Sequence, residues 1–304
     1  MRSLLVVLAV ALMGSQLHSS QKWVVPRTPW GDPDLQGDWT SVDMLGVPMQ
    51  RPTELGERST LTDEDFAKLQ QQAQQRARTN DVISIGPSTA HWYDFGRPQR
   101  QTSLIVDPSN GRYPPLTAEG TKRLASQPRE ERGPMKGPED ATLLARCISR
   151  GPLQSMLPLG SNNANQILQA PGLVAIRNEL VHETRVVPVD GRPHVGAGVR
   201  SYMGDSRGFW QGDTLVVETT NFNGKDTLYL TSEDARLTER LTRIDDTTLR
   251  YEATVDDPRL RTRTFTVALP LRRDPSYPVY EYSCHEGNAL NMRSMLAASR
   301  LADP

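Results

Sequence analysis

Short segments in which apolar and polar residues alternate recur through the second half of the chain, and this pattern most constrains the fold. In 249–255, for example, Leu, Tyr, Ala and Val occupy every second position, as in a strand with one buried face. Turn residues separate the segments, which predict the following strands: 166–169, 173–177, 180–188, 213–220, 236–244, 248–255, 262–271 and 279–284. Because little helix-forming sequence lies between them, we predict a mostly β fold, an antiparallel β-barrel or sandwich of the lipocalin-like type.

Residues 21–160 precede this β region and have a different character, since they are rich in proline and poor in alternation. They predict an extended N-terminal arm that packs against the antiparallel β domain at 161–304. Two short helices are expected in the arm, near 63–78 and 118–127. The first begins at Thr62-Asp63-Glu64-Asp65, which has the spacing of a capping box.

Residues 1–20 have the layout of a secretory signal peptide. Arg2 precedes an apolar run from Leu4 to Met13, and small or polar residues follow. The run is too short to cross a bilayer as a helix, so we predict no membrane span. Cleavage of this leader would deliver the protein to the periplasm or the extracellular space.

The two cysteines of the chain, Cys147 and Cys284, are predicted to form a disulfide. An isolated pair in an exported protein is usually oxidised. Neither cysteine has a partner at the short spacing that is typical of zinc sites. Two buried free thiols are the alternative.

Several motifs are specific enough to indicate a relationship. They are TPWGDPDLQG at 28–37, GPED at 137–140, GDSRG at 204–208, GDTLVVETTNF at 212–222 and CHEGN at 284–288. On these motifs, and over nearly the whole chain after the leader, the sequence resembles a family of exported proteins of soil bacteria. The resemblance implies export and a shared fold, and it assigns no activity to particular residues.

Histidine is scarce, so each imidazole outside the leader is a candidate for acid–base chemistry. We predict that His182, His285 and Glu286 are catalytic. His285 and Glu286 would stand at the end of the last predicted strand, where the disulfide would hold them rigidly, and His182 would line the barrel interior if alternation turns it inward. The alternatives are that His285 and Glu286 cap a strand and that His182 faces solvent. His91 is the weakest candidate, because it lies in the arm.

The polar segment 202–208 places a phenol, a carboxylate and a guanidinium between glycines, and it predicts a loop at the barrel mouth. Tyr202 is a further predicted catalytic residue. Asp205 and Arg207 are predicted to bind substrate, since a guanidinium can bind a carboxylate through two parallel hydrogen bonds. Alternatively, Asp205 and Arg207 pair with each other and only shape the loop.

Three more polar residues are predicted to bind substrate. His194 lies in a turn, where contacting residues are common. Asn162 and Asn163 lie just before a predicted strand. Their amides suit the hydroxyl groups of a sugar, and they suit an ordinary turn equally well.

These residues favour an exported enzyme with a site at the mouth of the barrel. It would perform acid–base chemistry, as a lyase or a hydrolase, on a polar, carbohydrate-like substrate. In a lyase, Arg207 or an asparagine would neutralise a substrate carboxylate while Tyr202 or a histidine removed the adjacent proton. The alternative functions are a lipocalin-like binding protein for a small apolar ligand and a scaffold without a pocket.

The charge balance bears on the partners. Lys and Arg number 35 and Asp and Glu number 36, so no basic excess points to a nucleic acid. A small molecule or a glycan is therefore the expected partner. No cofactor is predicted, but a metal held by His182, His194, His285 and Glu286 stays open, because ligands can converge from different strands.

Overall fold

The computed structural model describes residues 23–83, 94, 96–126, 137–225 and 231–302. The predicted signal peptide at 1–20 and the candidate His91 lie outside these residues. Within them, the regular structure consists of one β-sheet, four α-helices and several single turns of 3-10 helix.

Ten strands of the described residues form one antiparallel sheet, which curls into a nearly closed barrel. The predicted mostly β, antiparallel barrel fold is therefore confirmed. The strands are β1 (Gly37–Thr40), β2 (Ile105–Asp107), β3 (Ala164–Ala170), β4 (Leu173–Asn178), β5 (Thr184–Pro188), β6 (Asp205–Gln211), β7 (Thr214–Thr220), β8 (Arg236–Arg243), β9 (Thr248–Asp256) and β10 (Phe265–Arg273). Their order across the sheet is β5-β4-β3-β1-β10-β9-β8-β7-β6, and β2 pairs with β10 outside this path.

The segment predicted to be an N-terminal arm supplies part of the barrel wall. β1 lies between β3 and β10, with Trp39 opposite both Asn165 and Arg273. The helices α1 (Asp63–Ile83) and α2 (Ala118–Ser126) lie where the sequence predicts two helices. The Thr62 hydroxyl accepts a hydrogen bond from the backbone N–H of Asp65 at 3.1 Å, as expected of a residue that caps a helix.

Residues 279–283 form no regular secondary structure and a C-terminal helix begins at Cys284, so the prediction of a last strand at 279–284 is wrong. This helix, α4 (Cys284–Ala302), contains no β-branched residue and is rich in Ala, Leu, Met and Arg, which favour helix. The pair Gly287-Asn288 has the composition of a turn, but it lies inside α4. Among the described residues, no helix combines the length and the apolar character that crossing a membrane would require.

The prediction that 202–208 forms a loop is also wrong over most of its length. β6 begins at Asp205 and pairs with β7 throughout, from Asp205 opposite Thr220 to Gln211 opposite Thr214. The glycines of the segment give it the composition of a turn. The strand predicted at 180–188 is shorter than expected, because Leu180–His182 forms a 3-10 turn before β5.

Side chains fill the barrel interior in the part of the chain that the structure describes. Trp39, Leu241 and Tyr251 are fully buried there. At one end, every residue of the short helix α3 (Pro152–Met156) is buried against the ends of the strands. A cavity of about 30 Å³ remains beside α3. Small-molecule sites have volumes of roughly 300 Å³ or more, so this end of the barrel is closed to such a ligand.

The barrel closes between β5 and β6, the two ends of the sheet path. Because neighbouring strands are antiparallel and the path contains an odd number of them, β5 and β6 run in the same direction. Gly208 on β6 allows two valines to approach closely. A Cβ atom at Gly208 would lie 2.7 Å from Val189 Cγ1 and 3.0 Å from Val187 Cγ1. Side-chain packing therefore closes this seam.

Cys147 and Cys284 form the predicted disulfide, with their Cα atoms 5.9 Å apart. The bridge joins the first residue of α4 to the loop that precedes α3. The cysteines are 137 residues apart, and the chain between them contains β3 to β10. The disulfide therefore closes a covalent loop that contains most strands of the barrel.

Candidate functional site

The outer face of β6 carries the first two residues of the candidate site. Successive side chains of a strand point to opposite faces, and Ser206 and Gly208 are buried, so Asp205 and Arg207 share the outer face. Arg207 Nη1 donates to Asp205 Oδ1 at 2.7 Å. Arg207 also donates through Nε to the carbonyl oxygen of Pro193 at 2.8 Å. The guanidinium thus fixes the carboxylate and ties the loop before β6 to the strand.

His194 lies in that loop and completes the cluster. Its Nδ1 is 2.7 Å from Asp205 Oδ2, which also accepts the backbone N–H of Val195 at 3.1 Å. An ionised carboxylate only accepts hydrogen bonds, so Nδ1 carries the proton in this contact. In the neutral imidazole, Nε2 then holds the lone pair. His194 and Asp205 are 29% and 15% exposed, so the imidazole reaches solvent and its orienting carboxylate is mostly covered.

Asn221 holds the loop of His194 in place. Its side-chain amide donates to the carbonyl oxygens of Val195 at 3.1 Å and Gly196 at 3.3 Å. Arg200 anchors the far end of the loop by donating to the carbonyl oxygen of Glu233 at 2.6 Å. Asn221 belongs to the 212–222 motif, but nothing in the sequence indicates that it contacts a loop 25 residues earlier.

The predicted catalytic residues lie outside this cluster of hydrogen bonds. His182 is exposed, and its Nδ1 is 3.0 Å from the carbonyl oxygen of Tyr282, just before α4. His285 and Glu286 are exposed on the first turn of α4, and the expected strand end does not exist there. Tyr202 is half-buried in the turn that precedes β6. Of the predicted site residues, the structure brings His194, Asp205 and Arg207 together.

The amides of Asn162 and Asn163 are engaged within the protein. Asn163 is buried, and its Nδ2 donates to Asp94 Oδ2 at 2.6 Å and to the carbonyl oxygen of Leu159 at 2.6 Å. Asn162 Nδ2 is 3.4 Å from Glu179 Oε1. Contacts of this kind are typical of residues that shape an ordinary turn, which is the alternative to the predicted binding of a sugar.

Tyr277 joins the two carboxylates that the asparagines contact. Its hydroxyl lies 3.1 Å from Asp94 Oδ2 and 3.1 Å from the buried Glu179 Oε2, and it accepts the backbone N–H of Asn163 at 3.1 Å. Burial raises the pKa of Tyr277 above its ordinary value, and the nearby carboxylates add to the increase. Tyr277 is therefore a hydrogen-bond donor that stays neutral. No local motif marks these residues, because they converge from distant parts of the chain.

A second polar group lies inside the barrel. Arg185 on β5 binds Glu239 on β8 through both terminal nitrogens, with Nη2 2.9 Å from Oε1. The Tyr251 hydroxyl donates to the same Oε1 at 2.9 Å. Arg185 is 5% and Glu239 0% exposed, and burial raises the pKa of Tyr251 well above its ordinary value. This sealed triad links the seam strand β5 to the opposite wall, which is a structural role.

Among the residues that the structure describes, no group of three or more His, Cys, Asp or Glu side chains is arranged to hold a metal ion. No protein-family model, curated protein or solved structure matches the chain. The fold and the site together describe a disulfide-linked, mostly β barrel protein with a His–Asp–Arg cluster at one edge of the barrel seam.

Proposed function

We propose that this chain is an exported enzyme that performs acid–base chemistry, as a lyase or a hydrolase, on a polar substrate. The observation that carries the proposal is the contact of His194 Nδ1 with Asp205 Oδ2 at 2.7 Å, in a cluster that leaves the imidazole partly open to solvent. The disulfide is compatible with export.

His194 would act through Nε2, since Nδ1 is held by Asp205. In a hydrolase, Nε2 would take a proton from a water molecule, and in a lyase it would take a proton from the substrate. The imidazolium that forms would be stabilised by the Asp205 carboxylate. A carboxylate in this position also keeps the ring in the orientation and tautomer that a base requires.

Asp205 and Arg207 have positioning roles in this proposal. The hydrogen bonds from Arg207 and from the Val195 N–H fix the direction of the Asp205 carboxylate. Because Arg207 is also bound to the carbonyl oxygen of Pro193, its guanidinium is mostly committed to the protein. In this proposal Asp205 and Arg207 therefore orient His194 and its loop and do not bind substrate.

The lipocalin-like alternative receives less support. Carriage of an apolar ligand requires an apolar cavity inside the barrel, and Trp39, Leu241 and Tyr251 occupy that space. The buried triad of Arg185, Glu239 and Tyr251 makes the interior polar at its centre.

Turnover measurements on the full chain without its leader test the proposal. The probes are aryl esters for hydrolysis and uronate polysaccharides for elimination, which gives a product with a conjugated double bond. We expect turnover of one of these probes, and we expect His194→Gln to lower kcat/KM by about 100-fold, the low end of the range for loss of a general base. Asp205→Asn should lower kcat as well, because the amide can donate to Nδ1 and favour the wrong tautomer.

His285→Gln is the matched control, because His285 is an exposed imidazole on a different element. This variant should keep the activity of the unchanged protein. Equal activity of His194→Gln and His285→Gln would contradict the proposal.

A further inference from the structure

The face of the protein beside the β1–β10 pair contains a cleft of about 550 Å³. Its volume lies within the range of small-molecule sites, roughly 300–1,000 Å³. Three arginines line it, Arg97, Arg272 and Arg273, together with the hydroxyl-bearing residues Thr247 and Tyr277. The lining combines positive charge with hydrogen-bonding groups, and the proposed activity of His194 does not use it.

The carboxylates of the cleft neutralise its arginines only in part. Asp43 is shared, with Oδ1 3.4 Å from Arg97 Nε and Oδ2 3.7 Å from Arg272 Nε. Both distances exceed the roughly 2.7–2.9 Å of a good charge-assisted hydrogen bond. Asp274 accepts hydrogen bonds from the hydroxyl and backbone N–H of Ser276, which lower its pKa. The cleft therefore contains three guanidinium groups and two carboxylates. Asp43 is too far from its arginines for a good hydrogen bond, and Asp274 is already hydrogen-bonded to Ser276.

Arg273 is the arginine best prepared to bind an anion. Among the described residues, no carboxylate lies within ion-pair distance of its side chain. Its guanidinium lies 5.9 Å from the centre of the Trp39 ring, and it packs against Gly37, where a Cβ atom would come within 3.2 Å of Nε. Such packing limits the rotamers of the side chain, so less entropy is lost when a ligand binds.

We propose that this cleft binds a small anion that carries a carboxylate and hydroxyl groups, as an acidic sugar does. A guanidinium is planar and donates two parallel hydrogen bonds to a carboxylate. Arg273 would hold the carboxylate. Arg272 precedes it on β10 and also lines the cleft, where it would add positive charge. The Thr247 hydroxyl donates its own proton to Asp245 Oδ1 at 3.0 Å, so its oxygen would accept a hydrogen bond from a hydroxyl group of the ligand.

Isothermal titration of the full chain without its leader tests this proposal, with galacturonate, galactose and inorganic phosphate as probes. We expect galacturonate to bind and galactose, which lacks the carboxylate, to bind at least about tenfold more weakly. Arg273→Gln should weaken galacturonate binding by about tenfold or more. Arg272→Gln should weaken it less, because Arg272 contributes positive charge to the cleft and no direct hydrogen bond to the carboxylate. Added salt should also weaken it, because the cleft is exposed.

Arg250→Gln is the matched control, since Arg250 is an exposed arginine on the neighbouring strand β9 and does not line the cleft. It should bind galacturonate as the unchanged protein does, and so should His194→Gln, which separates this proposal from the proposed activity. Circular dichroism of each variant verifies the fold. Absence of galacturonate binding, tighter binding of phosphate than of galacturonate, or unchanged binding by Arg273→Gln would overturn the assignment.

Discussion

Arg185→Met is expected to lower the free energy of unfolding by about 3–5 kcal/mol, the usual cost of removing one partner from a buried ion pair. The substitution roughly conserves side-chain volume, so the loss comes from the Glu239 carboxylate, which would remain buried without its cation. Tyr251 would be its remaining partner within the triad. Chemical denaturation followed by circular dichroism measures the change.

The triple variant Arg185→Met, Glu239→Leu, Tyr251→Phe distinguishes the cost of burying an unpaired charge from the cost of lost packing. Replacement of a whole buried polar group by apolar residues of similar volume is often neutral or stabilising. The triple variant should therefore recover most of the stability that Arg185→Met loses. If the free energy of unfolding of Arg185→Met lies within about 1 kcal/mol of that of the unchanged protein, Glu239 is not buried against Arg185.

Removal of the disulfide is the second change with a large expected effect. The double variant Cys147→Ala, Cys284→Ala should lose roughly 4–5 kcal/mol of stability, because the bridge closes a loop across 137 residues and restricts the unfolded chain. The effect is measured by the same denaturation experiment under non-reducing conditions.

Treatment of the unchanged protein with a thiol reductant provides the control for the disulfide. Reduction should lower its stability by a similar amount, and the double variant should not respond to the reductant. A stability of the double variant equal to that of the oxidised protein would contradict the loop-closure account.

The alternation in the second half of the chain predicts the fold because it reports burial directly. It predicts strands at 236–244 and 248–255, close to the observed bounds of β8 and β9, and β9 buries Leu249, Tyr251 and Ala253. The single pair of cysteines, in a sequence that begins with the pattern of a signal peptide, predicts the disulfide.

Local composition misled the prediction at β6 and α4. Both segments contain glycine and polar residues, which are typical of turns. In β6, glycine is required where Val187 and Val189 approach Gly208, a tertiary contact that composition does not reveal. In α4, the helix-forming residues after Asn288 outweigh the turn-like start.

The candidate site was predictable in part. Asp205 and Arg207 are two residues apart, so recognition of β6 as a strand would have placed them on one face. The contact of His194 with Asp205 depends on the path of the loop before β6, which Asn221 and Arg200 hold in place. Contacts between distant segments, such as that of Tyr277 with Asp94, leave no periodic signal in the sequence.

The most direct test of the account is the tautomer of His194, read from the nitrogen chemical shifts of the labelled imidazole at a pH where the ring is neutral. The hydrogen bond to Asp205 predicts a proton on Nδ1 and a lone pair on Nε2. Asp205→Asn should shift the population towards a proton on Nε2. A proton on Nε2 in the unchanged protein would contradict the proposal that Asp205 prepares His194 to act as a base.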